Sequence, residues 1–542
     1  MELDAVKIAC LSMFTLCACA GDPTTKPAGA ADSTPPADSA DSATPSSWRS
    51  TLYPDDWAPG FSTEAGQLRD FSYAGYRAGA VPLPTPSAED AVDVRDFGAD
   101  PTGESDSTAA IQAAIDAAAA TVYLPEGLYK VDGALLVTHD HTVLLGDGSD
   151  RTRLWFTATD TVDRGAHLTF RGSPTADLSV PLTADSAFEA DRVRVASGSG
   201  LVVGDEVWVG ITITDDFISD HGMDGYWTFS HDAWRPFFRR TVTAVTDLDD
   251  GTEDILLDVT LPYPLSTRDG ARIERVDGYL DEVGLVGVGV SNAVDWVTAW
   301  SLTQVHAVAF EGVRDAYISD LATFETPTQP GYHLQSSGIL VRNSRRVTLA
   351  DSRLENPQNR GEGGNGYLVD IRTSNAVLVR DTTALAGRHN FIQNWDFGAS
   401  DLVFLRTHSA GGEAFTSSAD PAGATACSET HHALAIAVLV DDSTTDDCWK
   451  MVNRLSYSSG AGHTATESVF WNVRGDGGSL TSHQFGRGYV VGTDGLDIIT
   501  EVIDIYESQG TAPEDHTEGL DEAATLEPQS LYDDQLARRT GR

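Results

Sequence analysis

The sequence predicts an all-β solenoid, with short strands wound into stacked coils, one short helix near the start and a small β module inserted between coils. Three observations carry this expectation. From about Leu285 onward short apolar runs recur at 307–310, 338–341, 367–371, 391–392, 435–439, 469–472 and 489–491, with partner runs at 347–349, 376–379 and 402–405 between them. A strand, turn, strand, loop unit repeating at roughly 20 to 45 residues is the signature of a chain that keeps turning on itself. Residues 92–148 read as strand, Gly turn, helix, strand, turn and strand, closing on a Gly-rich corner. Residues 175–275 change character, with alternating strands around a segment rich in Trp and His.

Taken in order, residues 1–21 hold a short apolar run, 8–20, closed by Leu16-Cys17-Ala18-Cys19. This resembles a bacterial lipoprotein signal, which implies cleavage before Cys19 and acylation of its thiol. The run is too short to span a bilayer, and the lone Lys7 behind Glu2 and Asp4 leaves the basic start of such a signal poor, so an ordinary secretory signal is the alternative. Residues 22–47 are expected to be a disordered tether, since 28–47, built of Ala, Asp, Ser, Thr, Gly and Pro, has too little apolar surface to order itself. Residues 48–90 form an aromatic lead-in containing Asp70-Phe71-Ser72-Tyr73-Ala74-Gly75-Tyr76, expected to cover an open sheet end.

The solenoid is expected to begin at 91–174. Asp106 and Ser107 offer acceptors to the free N–H groups that open a helix, after which Ala110, Ile111, Ala114, Ile115 and Ala118 fall on one face. The period then shortens to two over 122–125, 135–137 and 143–145, bounded by Gly and Pro. Residues 276–505 are expected to be the main coils, and 506–542 an acidic, unstructured tail.

The words Asp96-Phe97-Gly98-Ala99, Ala110-Ile111-Gln112-Ala113-Ala114-Ile115-Asp116, 122–129 and Gly146-Asp147-Gly148 resemble the N-terminal segment of the pectate-lyase superfamily. That resemblance implies a right-handed parallel β-helix, with the helix as its cap. It is specific for fold and not for chemistry, because polysaccharide lyases, glycoside hydrolases, transglycosylases and phage tailspikes share it.

The net charge of −45 argues against a nucleic-acid or anionic-membrane binder, since phosphate contacts need clustered Lys and Arg. The charge is uneven: Arg342 to Arg487 carries 13 Lys/Arg against 16 Asp/Glu, so an anionic substrate is expected there. The same stretch holds His389, His408, His431, His432, His463 and His483. With Cys10 and Cys17 in the signal and Cys19 lipidated, Cys427 and Cys448 remain, a pair suited to one disulfide in an oxidising compartment.

Stacked strands lie about 4.8 Å apart, so matching positions on neighbouring coils build a ladder. Aligning strand starts brings Asp370 and Arg372, then Arg388, His389 and Trp395, then His431, His432, Asp441 and Asp442, then Arg454, His463, Glu467 and Trp471 onto one expected groove. His389, His432, His463, Arg388, Arg454 and Asp370 are the candidate catalytic residues. Arg372, Glu362, Trp395, Trp471 and Glu467 are the candidate substrate contacts. Imidazoles beside arginines suit removal of the C5 proton of a uronic acid, the guanidinium offsetting carboxylate and enolate charge and a neutral His acting as base. The first expectation is therefore β-elimination on an anionic polysaccharide.

A glycoside hydrolase using carboxylates on neighbouring rungs, drawn from Asp370, Asp441, Asp442, Asp446, Asp447 and Glu467, is the alternative. A non-catalytic glycan-binding solenoid is a third. Asp446-Asp447-Cys448 followed by Gly462-His463 resembles the DDC and GHG words of polygalacturonases, but the His-Gly step and a downstream RIK are missing, which points Asp446 and Asp447 to a surface loop. Tyr226, Trp227, Phe229 and Trp234 suit stacking on sugars or a loop core. No metal ligand set is assigned from spacing; calcium, used by related lyases, needs an acidic cluster that sequence does not place. The expected setting is exported, membrane-anchored through lipid or secreted, as a monomer or β-helix trimer.

Overall fold

The computed structural model describes residues 46–60, 68–118, 120–419, 423–500 and 515–542. The expected signal, Cys19 and nearly all of the expected tether lie outside these residues. No helix among the described residues is long and apolar enough to cross a membrane.

The chain winds as a parallel β-helix whose strands stack in three ladders. The first runs through Ala166–Arg171, His306–Glu311, Ser337–Arg342, Tyr367–Arg372, His389–Asn394, Ser428–Thr430 and Cys448–Met451. In its register Val308, Ile339, Val369 and Phe391 lie over one another and fill the interior. Because side chains alternate across a strand, the intervening column Leu340, Asp370, Ile392 and Glu429 points away from that core. That outer column is where the site is built.

The second ladder stacks Val313–Thr323, Arg345–Ala350, Asn375–Arg380, Ser400–Leu405, Ala435–Asp441 and the first half of Ser468–Ser482. These strands read as continuous apolar runs because both of their faces are covered. Phe404 faces the interior core, whereas Val403 and Leu405 join an outer cluster with Tyr53, Phe71, Phe397 and Trp471. The third ladder is short: Arg353–Glu355, Thr383–Leu385, His408–Ala410 and Thr444–Thr445. Corners are closed by serines: Ser344 Oγ donates to the Arg342 carbonyl at 2.8 Å and accepts from Val313 N at 3.1 Å, and Ser374 Oγ repeats the pattern one coil on.

The helix Thr108–Ala117 buries Ile111, Ala114 and Ile115 against the first coil. Its opening N–H is accepted by Asp106 at 2.9 Å; Ser107 turns instead to the backbone of Asp100. Between Thr175 and Asp277 a separate six-stranded antiparallel sheet leaves the solenoid and packs back on it.

The expectation of an unstructured 506–542 is corrected over the described residues 515–542. His516–Glu518 adds a rung to the second ladder, and Leu531–Thr540 is a helix capped by Ser530. Its buried face is only Leu531, Tyr532 and Gln535, too narrow to stand out in an acidic segment. The helix is held from outside itself: Asp441 accepts from Ser530 Oγ, Leu531 N and Tyr532 N, and Tyr532 donates to the Ala74 carbonyl of the lead-in.

Candidate functional site

A groove of about 770 Å³ runs across the outer column of the first ladder, lined by Arg164, Gln304, Glu362, Tyr367, Arg388, Asn394, Trp395, His431, His432, Arg454 and Tyr457, Ser458 and Ser459 of the turn Tyr457–Gly460. Tyr367 and His389 are partners on neighbouring rungs, and Glu429 enters on the next one beside Ile392. Ser428–Thr430 is short but pinned, because Cys427 and Cys448 are disulfide-bonded across its two coils. One edge is a glycine loop: Arg388 Nη1 donates to the Gly361 carbonyl at 2.6 Å, and a Cβ on Gly366 would meet Arg388 at 2.8 Å. The other edge is Trp395, whose ring stacks on His432 with centroids 3.8 Å apart. The inserted module supports that edge, Phe229 packing edge-on against Trp395 at 4.8 Å. Trp227 is fully buried behind it and donates to the Ala461 carbonyl, so this loop is the wall's core and its tryptophan is not a sugar platform.

Beneath the groove lies a buried polar cluster. Glu429 Oε1 stands 3.5 Å from His389 Nε2, 3.5 Å from His431 Nε2 and in contact with Arg454 Nη1. His389 Nδ1 bonds the Cys427 carbonyl at 2.5 Å, His432 Nε2 bonds the Ser458 carbonyl at 2.6 Å, and the Nδ1 atoms of His431 and His432 are 2.5 Å apart. Burial, with help from Arg454 and neighbouring imidazoles, drives His431 well below its ordinary range, and burial pushes His389 and His432 down to about 4. Burial opposes ionisation of Glu429, but Arg454 and His389 outweigh it and hold the carboxyl below its usual range. The Tyr367 hydroxyl is raised by burial and so stays protonated.

The groove therefore gathers Arg388, Arg454, Glu362 and Trp395 at its surface, with His432 buried in its wall and His389 directly beneath. Asp370 and Arg372 adjoin the floor without lining it: Asp370 is fully buried, pairs with Arg372 and stands 3.4 Å from His306. Burial opposes its charge, yet Arg372 and His306 bring the carboxyl down to about 2. Three expectations are corrected. His463 lies away from the groove, packed against Phe485 at 5.0 Å and Trp227 at 6.4 Å, because the His463 and Thr464 carbonyls accept from Leu434 N and Ala435 N and so join this segment to the second ladder. Trp471 is fully buried, edge-on to Tyr53, with Nε1 donating to the Pro528 carbonyl. Glu467 sits beside Arg487 and Tyr489 on that same ladder. Aligning strand starts treated the coils as one face, whereas each coil contributes three.

The hydrolase pool disperses likewise: Asp441 holds the C-terminal helix, Asp442 lies 3.6 Å from Arg474, and Asp447 accepts from Ser409 Oγ, Gly412 N and Cys448 N. Sequence reading passed over Glu429 and Tyr367. Glu429 had a signal: it stands two residues from His431, the spacing that puts both on one side of a strand. The donor set also bears on calcium, which the sequence leaves possible but unplaced, with no cofactor assigned: two imidazoles and one carboxylate do not match the all-oxygen shell that ion takes.

Comparison with known proteins finds a family match over the first coils and more distant relatives beyond it. Residues 91–175 match the family described as rhamnogalacturonase A/epimerase, pectate lyase-like. Mannuronan C5-epimerase AlgE3 of Azotobacter vinelandii is 32% identical over 174 residues, covering 24% of this chain and 9% of that protein. AlgE2 of the same organism is 33% identical over 176 residues, covering 24% of this chain and 17% of that protein. The matched stretch thus spans a small part of those relatives. Among solved structures, the tailspike gp61 of Pseudomonas phage phi297 aligns over 77% of this chain and 76% of its own, at 14% identity and a TM-score of 0.44. The tailspike gp49 of Pseudomonas phage LKA1 aligns over 75% and 76%, at 15% identity and a TM-score of 0.43.

Proposed function

Starting from a pectate-lyase-like parallel β-helix, we propose that this chain acts on an anionic, uronate-containing polysaccharide by removing the C5 proton, with β-elimination as the outcome. One observation carries the reading: in a chain of net charge −45, Arg164, Arg388 and Arg454 all line one groove. Guanidinium groups pair with a carboxylate in a planar, two-pronged geometry and stabilise the enolate charge that develops when C5 is deprotonated.

Two groove-lining groups exchange protons in this scheme. His432, neutral at ordinary pH, is assigned as base, and Tyr367, kept protonated by burial, as the donor to the departing C4 oxygen. The C5–H and C4–O bonds break, a C4=C5 bond forms, and the proton count balances between the two side chains. Because Nε2–H donates to the Ser458 carbonyl, the lone pair of His432 sits on Nδ1 and accepts from His431 Nδ1, so base action requires that contact to open. Catalytic bonds of this kind commonly tighten only on substrate binding. The cystine Cys427–Cys448 supports an oxidising, extracytoplasmic setting.

A second reading, C5 epimerisation, shares the first half of the reaction and is supported by the names of the curated relatives. Incubation with acidic glycans in deuterated buffer separates the outcomes. Ultraviolet absorbance from an unsaturated product is the expected result; deuterium at C5 without absorbance means epimerisation. New reducing ends without either signal mean hydrolysis, and binding alone means a glycan-binding solenoid; either removes the proposal.

A further inference from the structure

The hydrogen-bond pattern beneath the groove fixes where each imidazole carries its proton. His389 Nδ1 faces the Cys427 carbonyl at 2.5 Å, an acceptor only, so Nδ1 bears the hydrogen and Nε2 the lone pair. His432 Nε2 faces the Ser458 carbonyl at 2.6 Å, so its Nδ1 is an acceptor; the His431 Nδ1 at 2.5 Å must then be the donor, which leaves the lone pair of His431 on Nε2. Both lone pairs are aimed at the same carboxylate oxygen, Glu429 Oε1, each from 3.5 Å. His389 Nε2 is buried and finds no hydrogen-bond donor.

His431 Nε2 has the Ser458 hydroxyl as a donor at 3.3 Å, but His389 Nε2 and Glu429 Oε1 face each other without a proton between them, which is costly unless a cation joins them. Arg454 supplies one to Glu429, but its guanidinium does nothing for His389 Nε2. The ligand atoms of His389, Glu429 and His431 all lie within 4.8 Å of one another. We infer that His389, Glu429 and His431 form a binding site for a divalent transition-metal ion of the zinc and cobalt class, held by two imidazole nitrogens and one carboxylate oxygen. Two histidines and one carboxylate are a donor set such ions take, with a further position left open. His431 and Arg454 line the groove, so the open position faces it. The supporting contacts are also those a metal-binding imidazole uses, since His389 gives its other N–H to a backbone carbonyl, itself anchored by a cystine.

This site is independent of the reaction proposed above and is measured without substrate. Untagged full-length protein, dialysed against a chelator, is titrated with Co²⁺ and followed by visible absorption, then with Zn²⁺ by calorimetry. Expected are saturable uptake of one ion, a cobalt spectrum of low coordination number with nitrogen ligands, and no displacement by excess Ca²⁺. His389→Gln and Glu429→Gln are each expected to weaken uptake at least about tenfold. Absence of saturable uptake, or uptake unchanged in both variants, overturns the inference. Should the variants fail to fold, the wild-type cobalt spectrum decides: a weak octahedral band, or none, overturns it.

Discussion

Arg454 and Glu429, 25 residues apart in the chain, are bonded through Nη1 and Oε1 on the groove floor, Glu429 buried and Arg454 reaching the open side. One guanidinium thus neutralises a buried carboxylate and faces the groove. Arg388 is different, its Nη1 resting on the Gly361 carbonyl.

The two arginines should therefore fail in different ways. Arg454→Ala strands a buried charge and is expected to cost about 3–5 kcal/mol of stability. Arg388→Ala strands none, so it should keep the wild-type melting curve while kcat/KM on an acidic glycan falls about 10- to 100-fold. Chemical denaturation and steady-state kinetics on both variants check the contrast. A melting curve shifted as far for Arg388→Ala as for Arg454→Ala would contradict it.

The histidines should part company as well. His463→Ala removes a ring packed against Phe485 and Trp227, and is expected to cost about 1–3 kcal/mol with turnover per folded molecule unchanged. His432→Gln disturbs two buried hydrogen bonds and the stack on Trp395, is expected to cost about 1–3 kcal/mol as well, and should abolish turnover per folded molecule. Loss of turnover in folded His463→Ala would return that residue to the site.

Glu467 provides a pH test. Burial, opposed by Arg487, pushes its carboxyl up to about 7, so the folded protein holds a proton there that the unfolded chain gives up at ordinary Glu pKa. A raised carboxyl contributes stability that is complete below about 4.5 and is lost as pH rises through about 7. Glu467→Gln should flatten this decline and be the more stable protein above pH about 7. Denaturation midpoints measured across that window for both proteins give the answer, and parallel curves would refute the assignment.

The cystine bears on both fold and site. Closing the loop between Cys427 and Cys448, 21 positions apart, contributes about 3 kcal/mol in the chain-entropy account. The double variant Cys427→Ser, Cys448→Ser should lose about that much by urea unfolding. Because the Cys427 carbonyl orients His389, uptake of Co²⁺ should also weaken in the folded double variant.

Much of the fold was legible in the chain. The capping helix over Thr108–Ala117, the coil strands from 307 to 491 and the module between Thr175 and Asp277 all announce themselves through period, because a strand with one covered face alternates and one with two covered faces does not. The C-terminal helix escaped because it is stabilised by Asp441 and Ala74, partners 91 and 458 positions away, more than by its own apolar face.

The site divides along the same line. Sequence alone determined that imidazoles and guanidiniums concentrate between 342 and 487 and that a solenoid would bring distant ones together. Which of its three faces each strand joins depends on where every coil turns, and loops of unequal length break any count of spacings. That is why Arg388, His389, His432 and Arg454 meet, why His463, Glu467 and Trp471 do not, and why Glu429 takes the centre: the stacking of rungs places side chains, and no spacing along the chain encodes it.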